Sequence, residues 1–551
     1  MRRYISVFMA ILFVLTAFSG CNSKKTDTGT TTTPGTTTDP DVVTTPGSST
    51  SEVNPTEFHL DTWLSDGHVK VMGEQKVAED FVTDTTVYMA KNEKEAFNVS
   101  FRTDANVEGI KFVLVEGDST DLEIEIFDEY LINTGRKKHY PDPLVPYTES
   151  FSVEKNVTKT LLVRFASNSD TKAGEHDFKF AAVLNGKTLA EYNITVNVWN
   201  FALPEYLTCE SAVGLSNDMI YSYEKTTGPT AGKVITAYYE TMLDYGLTPY
   251  DPIYQFSSDK VDEYLSDPRV KSVRVDANSI SDEYLATIYE KLKSNPEWLA
   301  KAYCYPIDEP LTKADLNTLA ERCERIKRIA PELRIVVPFF VNIRVNGTTD
   351  QVDFLAQYMD IWCPKAPCWN EQGWLDDPLD KGYFGDRMDE QKAQGDKIWW
   401  YVCWEPGNPY CNLYVNELGL NHIELFWQQY YYGVEGFLYW HANYWTYTDP
   451  WESMATVPHL SSLVYGDGSL LYPGSPVGVV GPVASFRMDC IRNGMEDYDL
   501  LLMAEELFGR EWVVEQVQIV SESLTQHTKE AAVYAEVRQT IGKAIEAEIN
   551  K

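Results

Sequence analysis

The chain changes rhythm at about Tyr206. From about Phe58 to Phe201, apolar and polar residues alternate in short runs: Thr86 to Met89, Ala96 to Arg102, Gly109 to Val115, Leu122 to Phe127, Lys159 to Phe165, Gly174 to Leu184 and Tyr192 to Trp199. A period of two sends successive side chains to opposite faces, so these runs predict half-buried strands. Their spacing, with polar turns such as Asn185-Gly186 between them, predicts an antiparallel β-sandwich. Leu203-Pro204 ends this region.

Beyond it the pattern becomes apolar run, loop, helix-period segment. Runs at 207–215, 247–253, 272–277, 299–307, 334–340, 359–364, 397–404 and 435–441 read as strands. Between them a 3.6-residue period predicts helices, notably Val234 to Tyr245, Asp282 to Lys293, Lys313 to Ile329, Asp386 to Gln394 and Asn421 to Tyr432. Glu496 to Leu507 reads as a closing helix. Eight alternations predict an α/β (β/α)8 TIM-type barrel, with its chemistry at the C-terminal strand ends. The expected organisation is multidomain: a β-sandwich over 57–204, then the barrel with C-terminal helices over 205–551.

The leading segment says where the chain goes. Arg2 and Arg3 precede an apolar stretch from Ile5 to Phe18, and Ser19-Gly20-Cys21 supplies the small residues and thiol of a bacterial lipoprotein processing site. The stretch is short for a spanning helix, so residues 1–21 read as a cleaved lipoprotein signal with Cys21 lipidated; a plain signal peptide is the alternative. Residues 22–56 are Thr-, Ser- and Pro-rich and too poor in large apolar side chains to offset chain entropy, which predicts a disordered linker. The expectation is a lipid-anchored, extracytoplasmic protein of the bacterial cell envelope, meeting the membrane through that anchor only.

Composition narrows the partners. A formal net charge of -35 without a basic stripe argues against nucleic acid. With Cys21 lipidated, eight of the nine cysteines remain; Cys209, Cys304, Cys363 and Cys403 fall in strand-like runs and read as buried apolar residues. Cys363 with Cys368, or Cys403 with Cys411, could bridge locally. No Cys-x-x-Cys pair and no His cluster is present, so neither a metal nor a cofactor is expected.

Candidate chemistry centres on Asp308-Glu309-Pro310, which closes the apolar run from Leu299 to Ile307 just before a helix beginning near Leu311. Adjacent carboxylates at a strand end can occupy one concave site in different environments, one charged and one protonated, which suits sugar chemistry. The alternative is a helix start, with an acidic cap and Pro310 in the first turn. Other Asp-Glu pairs occur, at 128–129, 262–263, 282–283 and 389–390, and context separates them from this one.

Ten of the 14 tryptophans lie between Trp362 and Trp451. Sugar faces stack on aromatic rings while their hydroxyls need fixed donors and acceptors, so Trp362, Trp404, Trp440 and Trp445, with Lys365, Glu405, His441 and Asn443 beside them, are candidate substrate contacts. Trp399, Trp400 and Trp427 read as packing residues, and His441 could be structural. Asn217 and Tyr305 are further candidates that could equally serve loop or core. In the Ser485 to Asp499 segment, Arg487 and Arg492 alternate with acids, which favours planar Arg-carboxylate pairing that fastens the last helix over a catalytic role.

Four features together resemble glycoside hydrolase family 123: Lys91-Asn92-Glu93-x-Glu95, Trp199-Asn-Phe201-x-Leu203-Pro204, Asp308-Glu309-Pro310 and the Arg487 to Tyr498 segment. The likeness covers most of residues 57–551. It implies a β-N-acetylgalactosaminidase with an N-terminal β-sandwich and a catalytic barrel, acting on a glycan or glycolipid by a retaining, substrate-assisted route. By that resemblance Asp308 orients the 2-acetamido group and Glu309 is general acid, then base. The alternatives are hydrolysis of another 2-acetamido or neutral sugar, and a non-catalytic glycan-binding lipoprotein.

Overall fold

Between Leu60 and Ala202 the alternating pattern builds two five-stranded sheets. One runs in the order Leu60–Asp66, Lys94–Thr103, Lys159–Ala166, Glu123–Asn133, His139–Pro146; the other Asp84–Lys91, Lys187–Ala202, Gly174–Leu184, Val107–Glu116, Phe151–Val153. The computed structural model describes residues 57–551 apart from 79–80, 119, 134–138, 347–348, 371–382, 447–448 and 455–464. Cys21, the expected signal over 1–21 and the expected linker over 22–56 therefore lie outside the described residues.

The sheets are antiparallel as expected, with one exception: Asp84–Lys91 runs parallel to Lys187–Ala202. Asn185 and Gly186 have φ of 50° and 77°, the left-handed pair that a two-residue hairpin turn requires. His139–Pro146 escapes the sequence reading because its three prolines speak against a strand. It is an edge strand, where a missing N–H is tolerated, and its Pro143 bridges to Ser485 of the second region.

The second region is built on seven parallel strands in the order Glu210–Val213, Gly436–Tyr439, Lys397–Val402, Ile361–Pro364, Arg334–Phe339, Ala302–Cys304, Val273–Arg274. The expected strand at 247–253 is reduced to a bridge between Val213 and Pro249. Val213 N–H donates to Thr248 O at 2.8 Å, Tyr250 N–H to Val213 O at 2.8 Å, and Arg274 N–H to Tyr250 O at 2.7 Å. This segment spans the gap between the outer strands, and the sheet is nearly closed and barrel-like.

Strand parity sorts the side chains. Tyr303, Val336, Ile361, Cys363, Trp399 and Tyr401 pack together inside the curl, whereas Val337, Trp362, Trp400 and Phe437 join the core formed with the surrounding helices. The helices Asp282–Lys293 and Lys313–Ile329 match their expected limits. The run from Leu299 does not: Asn295 caps a short helix, Pro296–Lys301, and the strand is confined to Ala302–Cys304.

The sandwich and the barrel-like region share a core, with Ala90, Leu162 and Trp199 packed in the same cluster as the helices. Gly542 of the last helix, Ala531–Ile549, is needed there, since a Cβ at this position would come within 2.4 Å of the Trp199 ring. The arginines of the closing segment fasten the long helix Phe486–Phe508 to the sandwich through carboxylates, and Arg487 also ties it to the barrel-like region through the carbonyls of Leu413, Gly466 and Ser469. Arg487 donates to both oxygens of Asp142 at 2.9 Å, with both side chains wholly buried. Arg164 of the sandwich donates to Asp489 at 2.6 Å. Arg538 joins Asp497 at 2.7 Å to Glu95 at 3.0 Å and to Glu93. All eight described cysteines are buried and free, so neither local bridge forms. Among the described residues no helix is long and apolar enough to cross a membrane.

Candidate active site

The chain leaves the Ala302–Cys304 strand through Tyr305-Pro306-Ile307 and reaches Asp308 and Glu309 at the C-terminal end of the parallel sheet. Two side chains fix this exit: Arg322 donates to Pro306 O at 2.5 Å and Asn278 at 2.9 Å. Helix capping does not use the carboxylates. The following helix begins at Lys313, with Thr312 as N-cap and Asp315 completing a reciprocal capping box. Asp308 and Glu309 are left facing the mouth of the sheet. Glu309 holds φ at +38°, a left-handed conformation rare for a residue with a side chain and a form of strain that gathers at functional sites.

The two carboxylates have different neighbours. The Tyr305 hydroxyl donates to Asp308 Oδ1 at 2.6 Å. Although Asp308 reaches the surface, the protein packed about its carboxyl desolvates it and raises its pKa; the Tyr305 bond opposes the rise, Glu309 adds to it and Lys365 subtracts. Glu309 Oε1 accepts from the Tyr401 hydroxyl, and the Lys365 ammonium stands 3.4 Å from the same oxygen. Lys365 is 3% exposed and lies over the rings of Phe340, at 4.3 Å, and Tyr401, at 5.3 Å. Burial works against its charge, but Cys403 and the Glu309 and Glu405 carboxylates more than offset this and raise its pKa.

A second group lies at the end of the Gly436–Tyr439 strand, next to the strand that carries Tyr401. His441 Nδ1 accepts from the Asn443 N–H at 3.2 Å, so the neutral ring carries its proton on Nε2 and presents a donor. Burial lowers its pKa to about 4. Trp440 donates to Asp467 Oδ2 and Tyr439 to Oδ1, each at 3.0 Å; burial pushes the Asp467 carboxyl up to about 6 against these donors. The indole packs on Gly468, where a Cβ would approach within 2.2 Å. Tyr250 joins the two groups. Its hydroxyl donates to Tyr439 O at 3.1 Å, and its ring meets Tyr305 edge-on at 6.2 Å.

Of the candidate contacts, Tyr305, Lys365, Trp440 and His441 thus gather with the carboxylates or on the adjoining rim. Trp404 is 44% exposed and offers a ring to solvent, with the exposed Glu405 beside it. Three others serve structure. Trp362, 1% exposed, faces the helices and donates to Asp396 at 2.8 Å because its parity puts it outside the curl. Asn443 clamps the backbone of Ser216 through both ends of its amide, at 2.9 and 3.0 Å. Trp445 is buried against Tyr223 and donates to Ser469 and Leu471. Asn217 opens the helix Asn217–Glu224 beside the Tyr239 hydroxyl, and among the described residues no hydrogen bond joins it to either carboxylate.

Sequence reasoning missed Tyr401, Tyr250 and Asp467. Tyr401 was within reach, since alternation in the Lys397–Val402 strand puts it on the same face as Trp399. Asp467 carries no local signal.

One metal-like trio occurs among the described residues: Cys411, Glu424 and His527. His527 Nε2 bonds Pro409 O at 2.8 Å and Nδ1 lies 2.5 Å from Glu424 Oε2. Two ligands of one tetrahedral zinc ion sit about 3.3 Å apart. The imidazole–carboxylate spacing is instead that of a hydrogen bond.

Residues 235–504 match the family model for the glycoside hydrolase 123 catalytic domain, which marks that segment as a glycoside hydrolase catalytic region. A family 123 glycoside hydrolase from Clostridium perfringens, described for glycolipid glycan hydrolysis, has the same fold: TM-score 0.64 at 12% identity, over 89% of this chain and 98% of that one. A family 39 glycoside hydrolase from Bacteroides cellulosilyticus WH2 is far looser, at TM-score 0.32 and 9% identity over 75% and 81% of the two chains, and bears on nothing here. No curated protein matches the chain.

Proposed function

We propose that this glycoside hydrolase releases terminal β-linked N-acetylgalactosamine with retention, the sugar's own 2-acetamido group acting as nucleophile. Tyr305 occupies one oxygen of Asp308, leaving the other to accept the acetamide N–H and steer the acetamide oxygen to the anomeric carbon. As that oxygen bonds to C1, the bond from C1 to the aglycone oxygen breaks and Glu309 protonates the departing oxygen. The Asp308 charge stabilises the oxazolinium that forms. Tyr401 and Lys365 hold the carboxylate left on Glu309, which then takes a proton from the water that opens the ring. His441 Nε2–H serves a sugar hydroxyl, and the exposed Trp404 offers a stacking face to the next residue of the glycan.

The observation that carries this reading is the pair itself: adjacent carboxylates, each with its own partners, and neither spent on capping the next helix. The glycolipid glycan hydrolysis described for the Clostridium perfringens enzyme supports a lipid-linked or free glycan as substrate. A lipid on Cys21 and the linker 22–56 would tether the enzyme at the envelope surface.

The test is leaving-group dependence. Asp308→Asn should slow aryl and alkyl N-acetylgalactosaminides alike, because every substrate needs the oxazolinium stabilised. Glu309→Gln should spare activated aryl substrates and cost alkyl ones about 10² to 10⁴-fold, the usual worth of general acid help. Equal sensitivity in the two variants, or wild-type turnover of aryl galactosides lacking the acetamide, would refute the mechanism. Release of no aglycone by the wild type would leave a glycan-binding protein.

A further inference from the structure

A cleft of about 330 Å³ opens where the sandwich meets the barrel-like region, lined by Asn92, Lys94, Gly246, Arg269, Lys271 and Arg492 among others. Arg269 and Lys271 precede the strand Val273–Arg274, so the cleft lies at the N-terminal end of the sheet, opposite Asp308 and Glu309. Its charge is unusual for a chain with a net charge of -35.

The two arginines are paired with acids within the protein. Arg269 donates to Asp267, Asp244 and Glu240, each at 2.7 Å, and Arg492 to Asp489 at 2.6 Å with Glu496 at 3.5 Å. These pairs also engage two of the three acids of the lining, Asp244 and Glu496; the third, Glu205, belongs to none of them. The lysines are not satisfied. Among the described residues neither the Lys94 nor the Lys271 ammonium has a hydrogen bond or ion pair, and both side chains are half-buried. Burial lowers the pKa of both, and for Lys94 the positive Arg492 and Arg164 push the same way. Carboxylates act on both from farther off, Glu125 and Glu496 on Lys94 and Asp499 and Glu210 on Lys271, but among the described residues none reaches ion-pair distance, so an oxyanion in the cleft would give both ammonium groups a direct partner.

From this we infer that the junction cleft binds a sugar-sized ligand bearing a sulfate or phosphate group, its oxyanion held between Lys94 and Lys271. The oxyanion supplies acceptors to both ammonium groups, and charge-assisted bonds of this kind are about twice as strong as neutral ones. A space of this volume exceeds what the anion alone fills and lies at the small end of ligand pockets, leaving room for one sugar ring. The Ser167 hydroxyl in the lining is held by Ala90 O and the Glu93 backbone, and Asn168 Oδ1 accepts from Asp170 N–H, which leaves the Asn168 amide nitrogen to serve a ring hydroxyl. Because the cleft is walled by both regions, an occupant ties sandwich to barrel at the end remote from the carboxylates.

The experiment is calorimetric titration of the whole chain with galactose 6-sulfate, galactose and inorganic sulfate at matched ionic strength. Saturable binding of galactose 6-sulfate is expected, with none of galactose. Lys94→Met and Lys271→Met, singly, should each weaken it at least about tenfold, the loss of one charge-assisted hydrogen bond, while Lys94→Arg and Lys271→Arg retain it. The Asp308→Asn/Glu309→Gln double variant should bind as the wild type does, which separates this cleft from the catalytic mouth. Inorganic sulfate binding as tightly as the sugar sulfate would show that the oxyanion alone is recognised and overturn the sugar-sized assignment. No binding, binding unchanged in both Met variants, or binding lost with the carboxylate variants would overturn the site itself.

Discussion

Tyr401→Phe removes one atom from the candidate machinery and leaves the rest in place. The hydroxyl donates to Glu309 Oε1; the ring packs inside the curl of the sheet and lies under the Lys365 ammonium at 5.3 Å, and phenylalanine keeps both contacts. A hydrogen bond to a charged group is worth about 1.5–3 kcal/mol. At about 1.4 kcal/mol per decade of rate this corresponds to roughly a 10- to 150-fold loss. The bond is strongest when Glu309 has given up its proton, in and after the transition state, so the loss should fall on kcat rather than KM. Steady-state kinetics on alkyl and activated aryl N-acetylgalactosaminides would show it, with the larger effect on the alkyl substrate, whose leaving group depends more on the acid. A kcat/KM within twofold of wild type, or a change confined to KM, would refute the role given to Tyr401 and weaken that of Glu309.

Two further outcomes rest on protonation. Asp308 already has a raised pKa that the Tyr305 bond holds down, so Tyr305→Phe should raise it further and move the acid limb of the kcat/KM profile to higher pH; an unmoved limb would deny Asp308 its ionised role. Glu129 is buried with neither carboxylate oxygen hydrogen-bonded, and burial pushes its pKa from 4.5 up to about 8. The folded state keeps a proton that the unfolded chain releases, so this stabilising contribution is whole below pH 4.5 and lost as pH rises through about 8. Glu129→Gln should therefore raise the melting temperature at pH 8 and change it little at pH 4.5, and an equal shift at both values would contradict the burial argument.

Periodicity made most of the fold legible because it reports which face of an element is buried. It found the helices Asp282–Lys293 and Lys313–Ile329 to the residue and the strand Gly174–Leu184 likewise. It failed where local chemistry overrode the pattern. Asn295 and Pro296 turn the apolar run after them into helix, and the prolines of His139–Pro146 hide an edge strand. Asp308 and Glu309 could be singled out by their place at the end of an apolar run. The aromatic contacts could not, because strand-end position alone does not say which side of a closed sheet a ring faces: Trp362 and Trp440 look alike in sequence, and one residue of parity separates a helix-facing ring from a rim residue. Asp467, about 160 residues beyond the pair, becomes a neighbour of this end of the sheet only through tertiary packing.

The ion pairs between sandwich and barrel bear on how such a protein can be inherited. Asp142 and Arg487, Arg164 and Asp489, and Glu93, Glu95 and Arg538 each place one buried charge on either side of the boundary. Recombination that delivered the catalytic region to a new chain without its sandwich would strip these charges of their partners and bare to water the apolar face that Ala90, Leu162 and Trp199 cover. Arg538 also lies outside the 235–504 segment matched by the family model. The unit that can move intact from one gene to another is accordingly the sandwich, the barrel-like sheet and the last helix together.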